Sequence, residues 1–127
     1  MRILVVEDHS DTLHSMTRLL TGWGFEVTSA GTLEHGLSRL GDDSFDVIIS
    51  DIGLPDGTGY ALIGEARRRG KNVLAIALSG YDYPSEVYIS KLTGFDHHLR
   101  KPCNCEELRA LLEQTSGNQS STGTTLA

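Results

Sequence analysis

Short apolar runs that are continuous rather than alternating constrain this chain more than any other feature. Ile3-Leu4-Val5-Val6, Val47-Ile48-Ile49 and Val73-Leu74-Ala75-Ile76-Ala77-Leu78 are rich in β-branched residues and contain no polar position. Strands of that kind have no wet face, so they belong in the middle of a parallel sheet covered on both sides. Phe25-Glu26-Val27-Thr28-Ser29-Ala30 alternates and suits an edge strand, and the short polar run Asp96-His97-His98-Leu99 suits the other edge. Between these runs the apolar residues fall at helical spacing. Leu13, Met16, Leu20 and Trp23 form one such set, and Leu33, Leu37 and Leu40 a second. Tyr60, Ile63 and Ala66 form a third, Val87 and Leu92 a fourth, and Leu108, Leu111 and Leu112 a fifth. Gly24, Gly41, Gly70 and Gly94 stand where helices would stop. Strand and helix thus alternate five times. The pattern predicts an α/β fold, a doubly wound five-stranded parallel sheet of order 2-1-3-4-5 with five helices on both faces.

A chain of 127 residues is long enough for one such domain without a disulfide or metal staple. The domain should occupy residues 1–116. Residues 117–127, Gly-Asn-Gln-Ser-Ser-Thr-Gly-Thr-Thr-Leu-Ala, carry no charge and little apolar content, and are expected to form a flexible polar tail. With 11 Lys and Arg against 17 Asp and Glu the net charge is −6, which argues against direct binding to nucleic acid or an anionic membrane. The longest basic run, Arg67-Arg68-Arg69, is expected to be an exposed helix end. Cys103 and Cys105 are too close for a disulfide framework and lack paired zinc-ligand spacing, so they are read as incidental thiols of a reducing cytoplasm. Met1-Arg2 leads into only four apolar residues before Glu7-Asp8, which is no signal peptide. A cytoplasmic location is expected.

In open α/β sheets ligands bind beyond the carboxyl ends of the strands, where the strand order reverses. Here that point lies between the first and third strands, which end in Glu7-Asp8 and Ser50-Asp51. Three carboxylates converging there would raise one another's pKa unless a cation joined them. Mg²⁺ suits such an all-oxygen set with open positions. Glu7 and Asp8 could instead cap the following helix, but that would not account for Asp51. The fourth strand end adds the hydroxyl of Ser79, and the fifth adds the ammonium of Lys101 before Pro102. Cation, hydroxyl and a carboxylate able to carry a phosphoryl group make up the equipment of phosphoryl transfer, with Asp51 as the nucleophile.

Four segments in this order and spacing, Ile3 to Asp8, Asp51 to Gly59, Ala77 to Gly80 and Lys101-Pro102, resemble the response-regulator receiver domain of two-component signalling. The resemblance, over residues 2 to about 116, implies the flavodoxin-like receiver fold. It implies that Asp51 accepts a phosphoryl group from a sensor histidine kinase or a histidine phosphotransfer protein. It also implies that Asp8, Asp51, Glu7 and the Gly53 backbone carbonyl hold Mg²⁺ or Mn²⁺, that Ser79 and Lys101 contact the phosphoryl oxygens, and that the bond before Pro102 is cis. A downstream protein would read the face of the fourth helix, fifth strand and fifth helix, with Tyr88, Leu92, His98 and the surroundings of Cys103. His98 stands where relatives usually carry an aromatic switch residue that moves with Ser79; it reads first as a tolerated edge-strand residue, and if it switches instead, its titrating imidazole would make the output pH-dependent. The wording around Asp51 and Ser79 is similar to receivers at the carboxyl end of hybrid sensor kinases.

Two other classes fit worse. A dehalogenase-type phosphatase needs an Asp two positions after the nucleophile, where this chain has Gly53, and a flavin carrier would meet repulsion from Glu7-Asp8. The alternative to be tested is a degenerate receiver that docks without phosphorylation.

Overall fold

The computed structural model describes residues 1–42, 44–80, 89 and 94–121. In chain order the elements are β1 (Arg2–Val6), α1 (Ser10–Gly22), β2 (Glu26–Ala30), α2 (Leu33–Asp42) and β3 (Val47–Asp51). There follow β4 (Gly53–Leu54), β5 (Gly57–Thr58), α3 (Gly59–Arg68), β6 (Leu74–Ser79), β7 (His97–Arg100) and α4 (Cys105–Ser121). Five strands form one parallel sheet in the order β2-β1-β3-β6-β7. The short β4 and β5 pair only with each other, antiparallel. Set aside that hairpin, and the order is the doubly wound 2-1-3-4-5. The continuous apolar runs lie in the three central strands, and the alternating and polar runs form the two edges.

Each central strand splits its side chains between two cores, as the pleat requires. Leu4, Val6, Ile48, Ala75 and Ala77 pack with Leu40, Leu62, Ile63 and Ala66 from α2 and α3. Ile3, Val5, Val47, Ile49, Ile76 and Leu78 pack with Met16, Leu20, Leu108 and Leu112 from α1 and α4. A fully buried Leu or Ile contributes about 1.5–3 kcal/mol, so these two layers hold the strand ends in register. No helix among the described residues is long and apolar enough to cross a membrane.

Four helices lie among the described residues. The fifth, expected around Val87 and Leu92, lies outside them, and so do Tyr88 and Leu92 of the expected output face. Two boundaries differ from the sequence reading. Gly41 does not stop α2, which runs through it to Asp42, whereas Gly24 and Gly70 take the positive φ of a helix-ending glycine after α1 and α3, and Gly94 also has a positive φ. The last helix continues past residue 116 to Ser121, since extending a formed helix adds a hydrogen bond for each residue fixed. Residues 122–127 of the expected tail lie outside the described residues.

The basic run also divides. Arg68 and Arg69 are exposed at the end of α3 and pair with Glu65 at 2.5 and 2.7 Å. Arg68, then Arg69, holds the Glu65 carboxyl down at about 2. Arg67 turns inward instead. Its guanidinium donates to the carbonyls of Gly94, Lys71 and Val73 and to Asp96 Oδ2, closing the amino-terminal ends of β6 and β7. A charge run read only as solvated surface thus conceals a structural staple.

Candidate functional site

The carboxyl ends of β1, β3 and β6 meet at one edge of the sheet, and each ends in a polar residue. Val6 pairs in register with Ser50, and Asp51 with Leu78, so Glu7, Asp51 and Ser79 sit at neighbouring strand ends. Glu7, Asp8 and Asp51 each offer a carboxylate oxygen, and these oxygens lie within 4.8 Å of one another. The convergence inferred from strand order is therefore present in three dimensions. Glu7 is not a helix cap: the α1 N-cap is His9, which makes no side-chain capping bond, and Glu7 turns toward Lys101. Lys101 Nζ donates to Glu7 Oε1 at 2.5 Å and to Asp51 Oδ2 at 2.9 Å. The peptide bond from Lys101 to Pro102 is cis.

Burial sets the electrostatics. Glu7 is only 1 % exposed, and among the described residues its Oε2 has no hydrogen-bond partner. Burial, reinforced by the Asp51 carboxyl, pushes the Glu7 carboxyl up to about 7 despite Lys101. Lys101 is itself raised: burial opposes the ammonium, but its bonds to Glu7 and Asp51 outweigh that. One ammonium against three carboxylates leaves an excess of negative charge and an orphaned buried oxygen. Both are remedied by a divalent cation, so the donor set fits a hard ion held by oxygen ligands.

The loop beyond Asp51 is fixed by its backbone. Ile52 N–H donates to the Leu78 carbonyl, and Gly59 N–H to the Ile52 carbonyl at 2.8 Å. Ser50 Oγ donates to the Asp51 carbonyl at 2.9 Å. Gly53 faces open space, with nothing within 4 Å of where a Cβ would lie. Gly59 is the opposite case, because a Cβ there would stand 2.4 Å from the Asp51 carbonyl oxygen and 3.0 Å from Ser50 Oγ. Gly59→Ala is expected to destabilise the fold by about 1–3 kcal/mol, the usual cost of overpacking, despite alanine's better helix propensity. Urea unfolding measures it, and unchanged stability would show that the loop yields freely.

Ser79 is buried at the end of β6, where its carbonyl accepts from Lys101 N–H at 2.7 Å. His98 is partly buried on β7 opposite Ala77, and its Nε2 lacks a hydrogen-bond partner among the described residues. His97 follows the alternation of the strand to the other face. Cys103 is a free, half-buried thiol pushed up to about 11, chiefly by burial and then by Cys105 and Glu107. It stays protonated and poorly nucleophilic. A groove of about 490 Å³, lined by His9, Thr12, Met16 and Cys103, opens beside Lys101.

Comparison with known proteins agrees with this geometry. Residues 3–113 match the response regulator receiver domain family. The chain is 34% identical over 120 residues to the KDP operon transcriptional regulatory protein KdpE of Escherichia coli, spanning 94% of this chain and 53% of that one. It is 34% identical to an uncharacterized 14.6 kDa protein of Leptolyngbya boryana, over 90% of this chain and 88% of the other. The crystal structure of a CheY-like response regulator receiver domain from Methanospirillum hungatei superposes with a TM-score of 0.85 at 29% identity, covering 94% of this chain and 97% of that one. The chain thus spans about half the length of KdpE, and only 56% of the response regulator PhoP of Pseudomonas aeruginosa.

Proposed function

The chain belongs to the response regulator receiver domain family of two-component systems, and from that premise we propose that Asp51 is its phosphoacceptor. The donor would be a phosphohistidine on a sensor histidine kinase or a histidine phosphotransfer protein. The observation that carries this reading is the convergence of Glu7, Asp8 and Asp51 around a single lysine at the crevice of the sheet.

In the proposed reaction an Asp51 carboxylate oxygen attacks phosphorus, forming a P–O bond as the P–N bond to imidazole breaks. The imidazole leaves with the bonding pair and regains a proton from solvent. Glu7, Asp8, Asp51 and the Gly53 carbonyl would hold Mg²⁺ or Mn²⁺, which supplies positive charge that lets a carboxylate meet an anionic phosphoryl group. Lys101 already donates to Asp51 Oδ2 and can follow the negative charge onto the transferred oxygens. Ser79, at the adjacent strand end, supplies a hydroxyl for the same oxygens. Replacing a carboxylate by an acyl phosphate at a buried, charged site changes the charge there and biases a switch composed of Ser79 and His98.

The signal would pass to a protein bound over β7, α4 and the segment between β6 and β7. Such exchange places the domain in the cytoplasm, whether as a free regulator or as part of a hybrid kinase. Incubation with Mg²⁺ and acetyl phosphate should add a phosphoryl group, and beryllofluoride should shift amide resonances around Ser79 and His98. A protein inert to both reagents would be a phosphorylation-independent docking module instead.

A further inference from the structure

The amino-terminal end of α2 is capped twice, from two different places in the chain. Thr32 immediately precedes the helix, and its Oγ1 accepts from His35 N–H at 3.1 Å, an ordinary local cap. The two preceding N–H groups, of Leu33 and Glu34, donate instead to the Asp56 carboxylate, at 2.8 Å to Oδ1 and 3.0 Å to Oδ2. Those two N–H bonds, Leu33 first, hold the Asp56 carboxyl below the usual carboxylate range. A helix N-terminus is a ready anion site, and here a residue more than twenty positions away fills it.

Asp56 also occupies a particular place relative to the acidic crevice. It lies in the turn between β4 and β5, where Gly53 pairs with Thr58 and Leu54 with Gly57. The turn touches α2 a second time, because a Cβ on Gly57 would stand 2.4 Å from Leu33 Cδ2. The hairpin that begins two residues after Asp51, and includes Gly53, is thus clamped to a helix that adjoins β1 and β2. The bond from Gly59 N–H to the Ile52 carbonyl anchors it as well.

We propose that Asp56 is a positioning residue: by capping α2 from the turn, it holds the Gly53 carbonyl beside Asp51 in readiness for the divalent cation. This rests on the cation site proposed above. Oriented outer partners of this kind typically govern metal affinity by about 10–100-fold.

The two caps supply the control. Thr32→Ala removes a cap from the same helix end but leaves the hairpin tied, whereas Asp56→Ala unties it. Mg²⁺ titration by calorimetry, with no phosphodonor, should show affinity weakened about 10-fold or more in Asp56→Ala. Thr32→Ala should stay within about 2-fold of wild type, even where urea unfolding shows the two variants equally destabilised. Asp56→Asn, which keeps one acceptor, serves if the alanine variant folds poorly, and it should fall between them. Equal loss of affinity in Asp56→Ala and Thr32→Ala would reduce Asp56 to a helix cap, and unchanged affinity in Asp56→Ala would likewise overturn its positioning role. A wild-type protein that fails to bind Mg²⁺ would overturn the cation site itself, a different failure from either of these.

Discussion

Asp51→Asn should end phosphoryl incorporation from acetyl phosphate while leaving the protein folded. The amide oxygen of asparagine is a poor nucleophile at phosphorus, and the change removes the attacking group without altering the volume. Loss of a covalent nucleophile costs at least ~1,000-fold in rate, which places the variant below detection in a phosphoprotein assay. The fold should not suffer. Asp51 contributes one of three mutually repelling carboxylates, and an Asn side-chain carbonyl can still accept from Lys101 as Asp51 Oδ2 does at 2.9 Å. Thermal unfolding without divalent cations should therefore show equal or greater stability than wild type, separating chemical loss from unfolding. Incorporation that survives in Asp51→Asn would move the acceptor to another residue. A partner that binds wild type and variant alike, with or without phosphodonor, would indicate the docking module.

Much of this site was legible because its residues sit at the ends of the strands that are easiest to see. Continuous runs such as Ile3–Val6 and Val47–Ile49 announce buried parallel strands, and the residue after each is then placed by topology alone. Glu7 and Ser79 directly follow such runs and Asp51 comes two residues after one, whereas Lys101 follows the short polar edge run. Asp56 and Gly59 are not placed this way. Asp56 stands in a Pro-Asp-Gly sequence that reads as ordinary turn chemistry, and nothing local reveals that its carboxylate reaches back to Leu33 and Glu34. Gly59 resembles any glycine at a helix start, and only the packed loop shows that the Asp51 carbonyl leaves no room for a methyl group. Arg67 illustrates the same limit, since Arg68 and Arg69 beside it are exposed while its guanidinium is committed to three carbonyls. Periodicity reports which face of an element is apolar. It does not report which polar side chain will bridge two elements distant in the chain.

Glu7→Gln should make the cation-free protein more stable at pH 8 and leave it little changed at pH 5. The carboxyl of Glu7 is raised from 4.5 to about 7, so between those values the folded state binds more protons than the unfolded state. Stability then falls as pH rises through that window and levels off above about 7. Each pKa unit corresponds to about 1.4 kcal/mol, so ionised Glu7 costs the empty fold at most about 3 kcal/mol. Glutamine is neutral throughout and avoids that cost, while its side-chain oxygen can still accept from Lys101. Urea unfolding in chelator across pH 5–8 should show the gap between variant and wild type opening with pH. Mg²⁺ should then close or reverse it, because a cation that binds only the folded state stabilises the tighter-binding protein more. A variant less stable than wild type at pH 8 in chelator would mean that the Lys101–Glu7 ion pair outweighs the burial of charge. The expected result would make Glu7 a residue retained against the stability of the empty fold, which is understandable if the domain is selected for its loaded state.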